Sequence, residues 1–389
     1  MTKKVVFIFL FLGLFLFAEN LQGCSSENLS LNPGDSLEPT IAIDSTGIIH
    51  VVWGDNTPGN SEIYHKKSTD GGTTWSTNRL TWNSGSSSSP VISTDSLDNI
   101  HIVWQDTTPG NTEIYYKQSM DGGATWSTKR LTWSSGQSTE PAMAIDSSDN
   151  IHVVFQDDTP WKTEIYYKQS TNGGITWTAN RLTWNPGYSD MPAIATDSSN
   201  NIYVVWYDFS ATPGSAEIFF KRSTDGGATW KTTRLTWNAG GSGAPDIAVD
   251  LGDVIHVFWM DSTPGNFEIF HRKSSNGGIT WTPSKKLTWS AGKSWHPAVS
   301  IDSFGSLHLV WKDDTPGNNE IYYKTSTDAG ATWLTERLSW NPGSSDNPDI
   351  ATFVEWILEG MYFVPYVRYH VVWDDDTSLN REIYYTNNY

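Results

Sequence analysis

The chain has 389 residues, a formal net charge of −18 at pH 7, 37% hydrophobic and 13% aromatic residues, 32 Gly, 18 Pro, 21 Trp and one Cys. The aromatic content excludes a disordered chain, and a lone cysteine excludes a disulfide scaffold. The acidic balance argues against nucleic acid as a partner, because phosphate contacts need a basic surface. A single long apolar run excludes a multi-pass membrane protein, while length alone leaves room for two or three domains.

The N-terminus comes first. Lys3 and Lys4 precede an apolar run over residues 5–18, too short to span a bilayer comfortably. Leu21-Gln22-Gly23-Cys24 follows, then Ser25-Ser26. This segment resembles a bacterial lipoprotein signal, with Gln22 in place of the usual small residue. The resemblance implies a signal peptide over residues 1–23 and lipidation of Cys24. The mature domain, 24–389, is then exported to a bacterial cell envelope and anchored by lipid; secretion or a periplasmic location is the alternative.

The rest is one unit written seven times. Trp53, Trp104, Phe155, Trp206, Trp259, Trp311 and Trp373 recur at spacings of 51, 51, 51, 53, 52 and 62. Each unit carries four short segments rich in β-branched and aromatic residues, separated by turn residues. Their patterns are Pro-x-Ile-Ala-x-Asp (39–44), Ile-His-Val-Val-Trp-x-Asp (49–55), Glu-Ile-Tyr-Tyr-Lys (113–117) and Arg-Leu-Thr-Trp (130–133). They are strands A, B, C and D of a blade. Seven such units predict an all-β, seven-bladed β-propeller of four-stranded blades in a single domain. The seventh unit lacks strand D, and residues 28–34 (Asn-Leu-Ser-Leu-Asn-Pro-Gly) match residues 181–187 (Arg-Leu-Thr-Trp-Asn-Pro-Gly). An N-terminal strand is therefore expected to complete the last blade.

Between strands C and D, the pattern Ser-x-Asp-x-Gly-x-Thr-Trp spans residues 68–75 and recurs five more times, through 326–333. It resembles the Asp-box, or BNR repeat, of sialidase-like propellers. Asp70, Asp121, Asn172, Asp225, Asn276 and Asp328 hold its acidic position. Two Asn keep the acceptor oxygen and lose the charge, which favours a turn-capping role over metal binding. The resemblance also raises a sialidase-like glycoside hydrolase as an alternative function. Such enzymes use an arginine triad and a Phe/Tyr-Arg-Ile-Pro motif, and neither is found. Arg79, Arg130, Arg181, Arg234 and Arg337 share one strand D position instead. No catalytic residue is nominated, no metal or other cofactor is expected, and an enzyme is the less favoured reading.

The repeated histidines His50, His101, His152, His256, His308 and His370 read as a packing ring rather than converging metal ligands. The upper-face acids, such as Asp106 and Glu113, read as loop caps in preference to an acidic rim. Eighteen of the 21 Trp sit at repeated positions and read as scaffold. Function is sought where the repeat breaks. Trp161-Lys162 in the third B–C loop, Tyr188 in the crossover into the fourth blade and Trp295-His296 in the crossover into the sixth are the ligand-binding candidates, all on the upper face. An exposed Trp or Tyr beside a polar group suits a sugar ring or a protein anchor. The expected partners are a glycan or a surface or secreted protein, with the membrane reached through the lipid anchor. A third off-repeat tryptophan, Trp356, lies in an apolar insertion over 352–368 that includes Met361. It lengthens the last A–B connection on the lower face.

Overall fold

The computed structural model describes residues 26–389 apart from 160, 213, 214, 264 and 361. Cys24 and the apolar run lie outside the described residues, as does Met361.

Seven antiparallel four-stranded sheets form a seven-bladed β-propeller. In blade 1, strands A to D are Ser36–Ile43, Ile49–Asp55, Glu62–Ser68 and Ser76–Arg79. The strand A of blades 2 to 6 begins at Ser87, Ser138, Ser189, Ser242 and Ser294. Blade 7 is Ser345–Glu359, Tyr362–Asp375, Glu382–Asn387 and the N-terminal Glu27–Asn28. Glu27 and Asn28 register with Tyr385 and Tyr384, so the first strand completes the last blade.

The core lies between blades. Each of seven apolar clusters joins neighbours, as where Val52, Ile63 and Leu80 of blade 1 meet Ile92, Ile100, Ile102 and Trp104 of blade 2. Strand B is covered on both faces, which explains the near-continuous apolar run of residues 49–53. The C–D turns are closed by their own side chains. Ser68 Oγ donates to Asp70 at 2.8 Å, and Asp70 accepts Thr74 N at 2.8 Å and Thr74 Oγ1 at 2.6 Å. Asn172 accepts Thr176 N at 2.9 Å and donates to Thr176 Oγ1 at 2.8 Å, so the turn closes without a charge. The turn tryptophan packs on the preceding blade, as Trp177 does edge-on to Tyr116 at 5.2 Å.

Three sequence expectations need correction. Trp295 and His296 lie inside strand A of blade 6, Ser294–Ile301, because that strand starts one residue earlier, at the Ser294–Asp313 pair that every blade repeats. The insertion over 352–368 is not a loop: strands A and B of blade 7 continue past the lower face as a paired hairpin, with Val354 opposite Val367 and Leu358 opposite Phe363. Six of the repeated tryptophans are not buried scaffold: Trp82, Trp133, Trp184, Trp237, Trp289 and Trp340 are 64–72% exposed. They follow strand D, the outermost strand, where no further blade strand covers them.

Candidate functional site at the channel mouth

Strand A is innermost, and all seven copies line a central channel of about 520 Å³. Each carries a β-bulge near its upper end; in blade 1 the register slips between Leu37 and Thr40. The bulged residue always precedes a proline. These residues are Glu38, Ser89, Glu140, Met191, Ala244, His296 and Asn347, and all have φ between 43° and 55°. A non-glycine residue in this region is strained, and such strain persists only where the surroundings fix it. The backbone is thus repeated sevenfold, while the side chains presented to the channel all but never repeat.

Two sectors of the upper mouth are chemically distinct. On blades 3 and 4, the Glu140 amide donates to Gln105 Oε1 at 3.0 Å. Burial, with the charges of Glu38 and Asp190, raises the Glu140 carboxyl above its usual range. Burial and nearby Asp208 raise Asp190. The Tyr207 hydroxyl bonds to Asp190, and burial with these acids pushes it up to about 12. Tyr207 meets Phe209 edge-on at 5.8 Å, and Phe209 N donates to Tyr188 O at 3.0 Å. Lys162 Nζ reaches Gly187 O at 3.3 Å and Glu164 at 3.0 Å, next to Tyr188. Trp161 is 91% exposed on the same loop.

On blades 6 and 7, Lys293 and Lys312 each place Nζ 5.4 Å from the Trp295 ring centre. Lys312 pairs with Asp346, and Arg381 bridges Asp346, at 2.8 Å, and Asp374. Asn347 Nδ2 donates to Asp374 at 2.8 Å. Burial pushes the Asp374 carboxyl up to about 6 despite this pairing. Burial, with Lys312 nearby, lowers His296 to about 4, so its imidazole is neutral near pH 7. Deeper in the channel, Asp246 accepts Val299 N at 2.8 Å and Asp349 accepts Ile41 N at 2.9 Å. Both line the lumen and are half-buried, and burial pushes them up to about 7 and about 6.

The structure therefore gathers Lys162 and Tyr188 in one sector, with Trp161 on the same loop, and Trp295 with His296 in another. Sequence reasoning missed Glu140, Asp190, Tyr207, Lys312, Asp346, Asn347 and Arg381. The signal was present: the two residues before each strand A proline vary most within an otherwise repeated strand.

The repeated polar groups are internal. Ser36, Ser87, Ser138, Ser189, Ser242, Ser294 and Ser345 donate to the last Asp of their strand B at 2.6–2.9 Å. Glu113 is fully buried against Arg130 at 2.8 Å, so these acids form no exposed rim. His101 sits between Tyr116 Oη, at 2.8 Å, and Asp95, at 3.1 Å. That Tyr–His–Asp chain resembles a proton relay, but it is buried and recurs in blades 3 and 6. Among the described residues, no group of three or more His, Cys, Asp or Glu is arranged to hold a metal ion.

No protein-family model matches the chain. A xyloglucanase, Xgh74A of Acetivibrio thermocellus, is 28% identical over 207 residues, covering 44% of this chain and 24% of that protein. The chain thus spans about a quarter of the length of the curated relative it matches. Among solved structures, an ulvan lyase, a polysaccharide lyase, aligns with TM-score 0.62 at 12% identity, covering 92% of this chain and 96% of that one. A Hadza microbial sialidase aligns with TM-score 0.50 at 14% identity, covering 91% of this chain and 65% of that one. At these identities the structural likeness is one of fold.

Proposed function

We propose that this chain is a glycan-binding propeller that holds a sugar chain across the upper mouth of its channel. One observation carries the reading: the repeat breaks at the mouth, where aromatic faces (Trp295, Tyr207) stand among paired carboxylates, lysines and an arginine. Sugars are bound by this combination of flat apolar surface and fixed donors and acceptors. The xyloglucanase, lyase and sialidase named above all carry glycan-directed names, which supports the class of ligand without naming it.

A second reading, glycoside hydrolysis, is favoured by one local feature. Glu140 has a raised carboxyl and stands within electrostatic reach of Asp190, which is tied to Tyr207. Hydrolysis uses two carboxyl groups flanking the scissile bond, one as acid and one as base or nucleophile, and burial raises both of these. Turnover of any member of a chromogenic glycoside panel, abolished by Glu140→Gln with retained binding, supports the hydrolase. Oligosaccharide binding by calorimetry without turnover leaves the binding module.

The proposal includes export and attachment through Cys24, with the upper face outward. Strand Glu27–Asn28, three residues past that cysteine, runs upward from the lower side of blade 7, the blade that bears the protruding hairpin.

A further inference from the structure

Six blades present the same exposed group on the outer edge. After strand D the chain places Trp82, Trp133, Trp184, Trp237, Trp289 or Trp340 at the periphery, each 64–72% exposed. Apolar residues scattered singly on a surface need no explanation, but identical exposure at one repeat position is not scatter. Each indole is held from one side. Arg79, Arg130, Arg181, Arg234 and Arg337 lie over their tryptophans at 4.0–5.7 Å, and Lys286 lies 5.9 Å from Trp289. These cations are themselves fixed. Arg130 Nη2 reaches fully buried Glu113 at 2.8 Å, and its Nε donates to Thr132 O at 2.6 Å. The indole is therefore ordered before any ligand arrives, which lowers the entropy lost on binding.

Between blades 5 and 6, a recess of about 220 Å³ lies beside Trp289. That is below the roughly 300–1,000 Å³ typical of sites for larger ligands and suits a single small ring. Trp311 and Tyr322 line it, with Asp313, Thr315 and Lys324 as polar groups. Trp311 is 2% exposed, and its Nε1 has no hydrogen-bond partner. The equivalent nitrogens of Trp53, Trp104, Trp206 and Trp259 make long bonds of 3.2–3.4 Å to the strand B aspartate. Trp373 Nε1 of blade 7 is unpartnered in the same way.

We propose that the six rim tryptophans are repeated stacking sites for the sugar rings of a polysaccharide, separate from the channel mouth. A protein partner would want anchors clustered in one desolvated patch. Here the anchors stand one per blade, each large enough for one ring. Equivalent weak sites in series match a polymer of equivalent units, and linkage between them multiplies affinity. Blade 7 lacks the site: Asn28 replaces the arginine, and Leu31 replaces the tryptophan.

The test is affinity electrophoresis of the full chain through gels containing xyloglucan, hydroxyethyl cellulose or a polyuronate. Wild-type protein is retarded in at least one gel. Replacing one rim tryptophan by Ala weakens retention slightly, and replacing three weakens it about tenfold or more, as lost avidity requires. Asn28→Arg with Leu31→Trp adds a seventh site and increases retention. Melting curves and circular dichroism confirm that each variant is folded. The mouth variant Trp295→Ala with Tyr207→Phe loses oligosaccharide binding and keeps the part of its polymer retention that depends on the rim tryptophans. The proposal is overturned if no polymer retards the wild type, if the folded variant lacking three rim tryptophans migrates like wild type, or if only the mouth variant loses retention.

Discussion

The amide of Leu29 donates to the carbonyl of Ile383 at 2.7 Å, joining the N-terminal strand to strand C of the last blade. The Leu29 side chain is buried in the cluster that also holds Trp53, Val372 and Tyr385, so one residue seals the joint between blades 7 and 1. Closure removes the open sheet edges that an unsealed ring would expose.

Leu29→Ala is therefore expected to destabilise the protein by about 2–5 kcal/mol, the range for deleting a buried leucine side chain. Chemical denaturation followed by tryptophan fluorescence measures this. An unchanged midpoint would mean that the strand adds nothing to closure.

The strand C position that faces the histidine ring holds Tyr116, Tyr167, Tyr323 and Tyr385, each bonded to its histidine Nδ1 at 2.6–2.8 Å. Blades 1 and 5 have His65 and His271 there instead. Burial lowers His65 to about 3, and its Nδ1 has no hydrogen-bond partner. A folded pKa below the unfolded value near 6.5 favours the unfolded state as pH falls from 6.5 towards 3, because only the unfolded chain takes up the proton. At pH 5 this costs about 2 kcal/mol for His65, and burial acts in the same direction on His271. His65→Tyr with His271→Tyr should thus lose less stability between pH 7.5 and pH 5 than wild type, as read from melting temperatures. An equal or larger loss would contradict the assignment.

At the mouth, the charge of Glu38 helps raise the Glu140 carboxyl. Glu38→Gln should move the Glu140 midpoint down. Tyr207→Phe removes a donor to Asp190, a bond that favours the charged carboxylate, and should move Asp190 up. Carboxyl-carbon NMR titration reads both shifts, and a change of opposite sign at either residue would break the proposed cluster.

The blade 7 hairpin presents Val354, Trp356, Leu358, Phe363, Pro365 and Val367 on one face by register, with Trp356 and Phe363 59% and 67% exposed. Trp356→Ser with Phe363→Ser should reduce binding of unlipidated protein to phosphatidylcholine vesicles in a flotation assay. Equal flotation of variant and wild type would mean that this hairpin contributes nothing to membrane binding.

The fold was legible because the repeat states it: a strand B that is covered on both faces reads as a continuous apolar run, and the match of residues 28–34 to 181–187 announced the closure. The candidate site was legible only where an aromatic residue broke the pattern. Trp295 and Tyr188 stood out, whereas Glu140 and Asp190 were lost among many acids, since composition does not show which carboxyls face a channel. The rim tryptophans misled for a related reason. Repetition was read as burial, yet a repeated residue on the outermost strand of a blade has nothing above it to bury it.

The most direct test of the central claim is a glycan array probed with the wild-type protein and with the mouth variant Trp295→Ala, Tyr207→Phe. The account predicts that the wild type binds a defined set of oligosaccharides and that the folded mouth variant loses them by about tenfold or more, the scale of removing two interaction anchors. A wild type that binds no oligosaccharide, or a mouth variant that binds the same set equally well, would contradict it.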